Sequence, residues 1–270
     1  MSVNIEASGR RSVQVELEVA GTPEEVWQAI ATGPGISSWF VPTEIEQRDG
    51  KPVAVKYKFA PDMEPQSMVT AWEPPRLFAQ QADGWFPGSP PMATEWSIEA
   101  RAGGTCILRI VQSLFASSDE WDNELEGAKS GWSGFLATLQ VYLAHFRGQR
   151  LALAQLRNPA TGSDAEIWDA MISALGLGHL RVGQWVAASA GVPPFTAVVE
   201  YLSQDPYDAL LRVDQPAPAI LALGVAGSPG GPSRVGVNLY LYGDQAEAAL
   251  AREAPRWEAW LQRRFPVVSP

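Results

Sequence analysis

One cysteine and two histidines are all the thiol and imidazole metal ligands that 270 residues offer. Cys106 alone can form neither an intramolecular disulfide nor a paired-cysteine redox or zinc motif. His145 and His179 are too few for a histidine-rich centre, so only an all-carboxylate metal site stays open. No cofactor is expected, because the chain has neither a Gly-x-x-x-x-Gly-Lys phosphate loop nor a Gly-x-Gly-x-x-Gly fingerprint. Basic residues are scarce as well. Lys and Arg number 20 against 30 Asp and Glu, for a net charge of −10. Residues 1–150 hold 12 basic and 19 acidic groups and residues 151–270 hold 8 and 11. Neither half can neutralise a phosphate backbone, which argues against nucleic acid as a partner. Long apolar runs are missing too, so no membrane span is expected. The opening MSVNIEASGRRSVQVELEVAG alternates polar and apolar residues instead of forming a signal peptide. Cytoplasmic location is the expectation.

What is present is ordinary for a folded protein: 46% hydrophobic and 19% charged residues, in a length suited to two domains. In Ser12–Val19 the residues Val13, Val15, Leu17 and Val19 alternate with polar ones, which predicts a strand with one buried face. Thr22-Pro23-Glu24-Glu25 opens a helix by a capping box with proline at its first position. A short helical turn over Ile36–Phe40 follows. Strands are predicted around Val53–Phe59, Met68–Trp72, Leu77–Gln81, Thr94–Ala100 and Cys106–Leu114, making an antiparallel meander of about six strands. Ser117-x-x-Glu120 then caps a long helix whose Trp132, Leu136, Leu139, Leu143 and Phe146 recur at helical spacing. Gly127, Gly131 and Gly134 share a stripe of it, unless Gly127 belongs to a loop before the helix.

Residues 1–148 read as the first domain, 149–162 as a linker ending in Asn158-Pro159, and 163–270 as a smaller α+β domain. The helix start Thr22–Ile30 aligns without gaps on Ser163–Met171. Strands at Ala197–Leu202, Ala209–Val213, Ala219–Ala226 and Val235–Tyr242 come next. A last helix follows, capped by Asp244 with Glu247 and kinked or restarted at Pro255. The repeated order suggests a shortened second copy of the first half.

Strand, capped helix pair, meander and long closing helix is the order of the helix-grip fold. Residues 12–147 resemble the SRPBCC (START-like, birch-pollen-allergen-like) superfamily, and within it the bacterial relatives of the activators of heat-shock protein 90 ATPase. The matching pieces are Thr22–Trp27, Trp39-Phe40, Val69–Leu77, Gly104–Ile110 and Gly131-Trp132 ahead of Leu136 and Leu139. Met68 stands where the family usually has glycine. The resemblance implies an α+β fold in which a curved antiparallel sheet grips the long C-terminal helix around a cavity.

Such a cavity would be lined by Trp39, Phe40, Tyr57, Trp72, Phe78, Trp96, Gln112, Leu114, Trp132, Leu136, Leu139 and Tyr142, on inward faces or at its rim. Aromatic walls with a few polar handles suit a small molecule, although each ring taken alone fits a packed core equally well. Gln112 lies among Leu108, Ile110 and Leu114, and a buried amide needs hydrogen-bond partners. No catalytic constellation stands out. Ser189 in Ala187-x-Ser189-x-Gly191 leads into Val192-Pro193-Pro194 where a nucleophile elbow needs a helix. His145 reads as an exposed residue at a helix end, and Glu95 and Glu99 read as solvated partners of Arg109. The leading expectation is therefore binding of a small apolar or amphipathic molecule in the N-terminal cavity, without catalysis. A cyclase- or hydratase-like enzyme using the same cavity is one alternative, with His145 or a buried carboxylate as its base. A chaperone-interacting module presenting Trp85-Phe86, or a homodimer surface, is the other. The carrier role requires a hollow between sheet and helix.

Overall fold

The computed structural model describes residues 4–5, 11–59, 63–84, 90–115, 122–204, 207–228 and 231–266. The chain divides into two units, residues 1–145 and 146–270. The first contains β1 (Asn4–Ile5), β2 (Arg11–Ala20), α1 (Pro23–Ala31), α2 (Gly33–Ser37), β3 (Thr43–Arg48), β4 (Lys51–Tyr57), β5 (Gln66–Glu73), β6 (Leu77–Ala82), β7 (Met92–Arg101), β8 (Thr105–Leu114) and α3 (Asp122–His145). Its eight strands are ordered β1-β2-β8-β7-β6-β5-β4-β3, antiparallel throughout. The first long strand thus pairs with the last, and the meander runs away from it. α3 lies along β2 and β8, and Gln140 Nε2 donates to the Glu18 carbonyl at 2.9 Å. This is the helix-grip arrangement. Trp85-Phe86 and the Ser117–Glu120 cap lie outside the described residues.

Local chemistry explains the elements. The Thr22 hydroxyl accepts from Glu25 N while the Glu25 carboxylate accepts from Thr22 N at 2.8 Å, so the capping box closes in both directions. The chain turns into β2 and β8 in the register that alternation demands: Val13, Val15, Leu17 and Val19 pair with Gln112, Ile110, Leu108 and Cys106. Cys106 is buried, and its burial, reinforced by the charges of Glu24 and Glu25, pushes the thiol pKa up. That keeps the sulfur in its unreactive protonated form. On the outer face Arg109 pairs with Glu16 at 2.5 Å and Glu99 with Arg101 at 3.5 Å. The expected partnership of Arg109 with Glu95 and Glu99 is thereby replaced, because the register sets Glu16 directly opposite Arg109. α3 already runs from Asp122, so Gly127 and Gly131 are helical and Gly127 is no loop residue. β3, an edge strand with Glu44, Glu46, Gln47 and Arg48 exposed, was not among the expected strands.

The second unit contains β9 (Leu151–Pro159), α4 (Asp164–Leu175), β10 (Trp185–Ala187), β11 (Thr196–Gln204), β12 (Tyr207–Gln215), β13 (Ala219–Ser228), β14 (Gly231–Tyr242) and α5 (Ala246–Arg264). The order β10-β11-β12-β13-β14-β9 repeats the first unit: an opening strand beside the last one, a capped helix, a meander and a closing helix. Ser163 and Glu166 form the second capping box. The segment expected as a linker, 149–162, is therefore corrected: most of it is β9, paired with β14 from Leu151 to Pro159. Apolar residues on both faces of Leu151–Leu156 hid its alternation. Ala152, Ala154 and Leu156 join the core against α4 and α5. The closing helix also differs from expectation. Its N-cap is Gln245, with no side-chain cap, and the helix continues through Pro255.

On the sheet face away from that core, register aligns Asp208, Gly224, Gly236 and Arg157 across four strands. A Cβ at Gly236 would meet Arg157 Nη1 at 3.0 Å, so glycine there is what lets the guanidinium lie across β14. Arg157 Nη1 donates to Asn238 Oδ1 at 2.6 Å. Burial pushes the Asp208 carboxyl up to about 6 from 3.8, against the opposing effects of the Ala209 N–H and the Arg157 charge. A carboxyl whose folded pKa is raised binds its proton more tightly in the folded state. The stability this carboxyl contributes is therefore fully present below about pH 4, is lost, by about 3 kcal/mol, as pH rises through about 6, and does not change above that. Asp208→Asn should flatten this dependence and raise stability at pH 7.5, as urea unfolding across pH 4–8 will read. An unchanged slope would contradict it.

Candidate functional site

Rows of inward side chains cross the first sheet. Antiparallel pairing sets Gln80 opposite Thr94 and Thr94 opposite Gln112, giving a polar row over β6, β7 and β8. The next row is Phe78, Trp96 and Ile110. Tyr57 reaches the polar row from β4, and its hydroxyl accepts a hydrogen bond from Gln80 Nε2 at 2.5 Å. Burial raises the Tyr57 pKa far above the usual phenol range, so the hydroxyl stays protonated.

α1 and α2 supply the opposite wall. Thr32 caps α2 by accepting from Gly35 N at 3.0 Å and donates to the Gln28 carbonyl at 2.7 Å, which locks the two helices together. Trp39 follows directly, fully buried, and its Nε1 donates to the Ala29 carbonyl at 2.9 Å. Phe40 beside it is met by several rings. Phe135 lies edge-on at 4.5 Å, Tyr57 edge-on at 5.9 Å, and Trp132 stacked at 5.9 Å. Trp132 also lies edge-on to Trp96 at 5.4 Å and donates from Nε1 to Gln112 Oε1 at 2.8 Å. Edge-to-face packing of this kind adds to the burial energy and fixes ring orientation.

These groups enclose a pocket lined by Ile30, Ile36, Trp39, Phe40, Tyr57, Gln80, Thr94, Trp96 and Trp132. Its free space is about 10 Å³, roughly that of one water molecule. The wide hollow expected between sheet and helix is thus contracted, because the rings pack on one another. Every lining residue is buried except Trp132, which is half-buried. One polar atom is left over: Gln80 Oε1 is buried without a hydrogen-bond partner.

Of the residues expected at the site, Trp39, Phe40, Tyr57, Trp96 and Trp132 line the pocket. Gln112 stands one hydrogen bond away, held by Trp132 and by donation from its Nε2 to Met92 Sδ. Phe78 is buried beneath Trp72, which is half-buried and meets Trp27 of α1 edge-on at 5.0 Å. Leu114 packs with Val13 and Met92. Leu136, Leu139 and Tyr142 are buried on α3. Ile30, Ile36, Gln80 and Thr94 were not foreseen. For the last two the signal existed, since stepping by two from Phe78 and Trp96 reaches them on the inward face. His145 is exposed at the end of α3. Among the described residues no three His, Cys, Asp or Glu side chains cluster as a metal site would need, and no helix is long and apolar enough to cross a membrane.

Comparison with known proteins finds a family that the N-terminal unit resembles. Residues 20–144 match the family described as activator of Hsp90 ATPase homolog 1-like protein. No curated protein matches the chain. Among solved structures, the di-domain ARO/CYC BexL from the BE-7585A biosynthetic pathway is 13% identical over 96% of this chain and 100% of its own, with a TM-score of 0.46. The di-domain ARO/CYC StfQ from the steffimycin pathway is 12% identical over 93% and 96%, with a TM-score of 0.44. The Aha1 dimer from Colwellia psychrerythraea is 18% identical over 49% and 95%, with a TM-score of 0.39. The family match thus falls wholly within the N-terminal unit, residues 1–145.

Proposed function

We propose that the N-terminal unit binds a small, flat, largely apolar molecule between the rings of Trp39, Phe40, Trp96 and Trp132. The observation that carries this reading is the pocket's composition: five aromatic rings and two isoleucines around two uncharged polar side chains. The lining includes no carboxylate or imidazole, and its one titratable group, Tyr57, stays protonated. It therefore offers apolar contact and hydrogen bonds rather than a general base at neutral pH. A guest larger than water must displace a wall, and Trp132 is the wall with solvent on one side. Its outward swing breaks the hydrogen bond to Gln112 and leaves that buried amide oxygen unpaired, a loss of about 1–3 kcal/mol. Burying about 200 Å² of guest surface returns roughly 5 kcal/mol before association costs.

The test is the indole N–H signal of Trp132 in amide-correlation NMR of the full chain during titration with naphthol and, separately, with naphthalene, either of which suffices. Displacement of that signal together with those of Trp39 and Trp96 is the expected result. Shifts confined to Trp168, Trp257 or Trp260 of the second unit, or none, would refute the reading. The family match supports a second reading, a protein partner of the kind its description names, a heat-shock protein 90 ATPase. Stimulation of that ATPase by the purified chain would establish it, and lack of stimulation would remove it.

A further inference from the structure

Gln80 is the polar group in the pocket with a valence to spare. It is 4% exposed and its Nε2 is committed to the Tyr57 hydroxyl, while Oε1 has no partner. A buried acceptor left unpaired carries a desolvation cost that a donor would cancel. Geometry restricts where that donor comes from. Gln80 lines the pocket with Thr94 beside it across the strand pair, and the remaining walls are rings and isoleucines. The free space holds about one water.

Building on the binding reading above, we propose that Gln80 makes this pocket selective for aromatic guests that donate a hydrogen bond, the hydroxyarenes and N–H heteroarenes. The guest's ring replaces the outward-swung Trp132 against Phe40 and Trp96, and its O–H or N–H points at Gln80 Oε1. Tyr57 is the positioning residue: by accepting from Nε2 it turns the amide so that the oxygen faces the guest. An arene without a donor leaves Oε1 unpaired and dry, so it binds more weakly than one that donates.

The experiment titrates the full chain with naphthol, its methyl ether and naphthalene, which share a ring system and differ in donor and acceptor. Naphthol is expected to bind at least about tenfold more tightly than the other two. In Gln80→Leu that advantage should fall below about twofold. Gln80→Met serves the same purpose with a straighter side chain if the leucine variant does not fold. Equal binding of naphthol and its methyl ether overturns the selectivity while leaving the pocket's binding role intact. Survival of the naphthol advantage in both Gln80 variants overturns it in the same way. Failure of all three compounds to move the Trp132 signal overturns both.

Discussion

Gly35→Ala is expected to destabilise the N-terminal unit by about 3 kcal/mol or more, lowering its thermal midpoint by about 10 °C. A Cβ on Gly35 would sit 1.8 Å from the Gln28 carbonyl oxygen and 2.8 Å from its carbon. Both are backbone atoms of α1, so no side-chain rotation relieves the clash, and the two helices must separate. Their separation breaks the Thr32 hydrogen bonds and moves Ile36, Trp39 and Phe40 out of the pocket wall. Gly50→Ala is the control: φ is +73° with nothing within 4 Å of the added carbon. It should cost only the left-handed backbone term, about 1–2 kcal/mol. Calorimetry of both variants decides the matter. A Gly35→Ala midpoint no lower than that of Gly50→Ala would mean that the helices yield without loss.

The second large effect is at Trp39. Trp39→Ala is expected to cost about 3–5 kcal/mol, since a fully buried indole leaves a cavity that its neighbours fill only in part. Trp39→Phe isolates the hydrogen bond. It keeps a ring against Phe40 and Trp96 but leaves the Ala29 carbonyl without the indole N–H, for a loss of about 1–3 kcal/mol. Urea unfolding gives both values. If the phenylalanine variant were as unstable as the alanine one, ring packing would contribute nothing at this position and the hydrogen bond everything. The alanine variant also enlarges the pocket next to Gln80 and should bind naphthalene more tightly than the parent in the NMR titration.

Legibility of the fold in the sequence followed from the strength of local signals. The Thr22–Glu25 capping box, the alternation of β2 and the helical spacing of Leu136, Leu139 and Leu143 act over a few residues, and each formed as expected. β9 was missed because Leu151, Leu153, Ala152 and Ala154 leave too little contrast between its faces for a period of two to stand out. The candidate site was partly legible. Trp39, Phe40, Tyr57, Trp96 and Trp132 stood out as large rings on inward registers, whereas Gln80 and Thr94 share those registers but carry no conspicuous chemistry. Gln112 was singled out as a buried amide in need of partners. The structure gives it Trp132 and Met92, and leaves the unpaired oxygen on Gln80 instead.

The amino-acid order by itself determined most of the strands and helices, which face of each of these is apolar, and that the second half repeats the plan of the first. These follow from backbone and side-chain preferences over neighbouring residues. Tertiary structure alone decided how much room remains between the sheet and α3, and which polar atom there goes unpaired. Those outcomes depend on ring orientations and strand registers that bring together residues as far apart as Ile30 and Trp132. Packing of that kind is a many-body fit, and no local pattern encodes it.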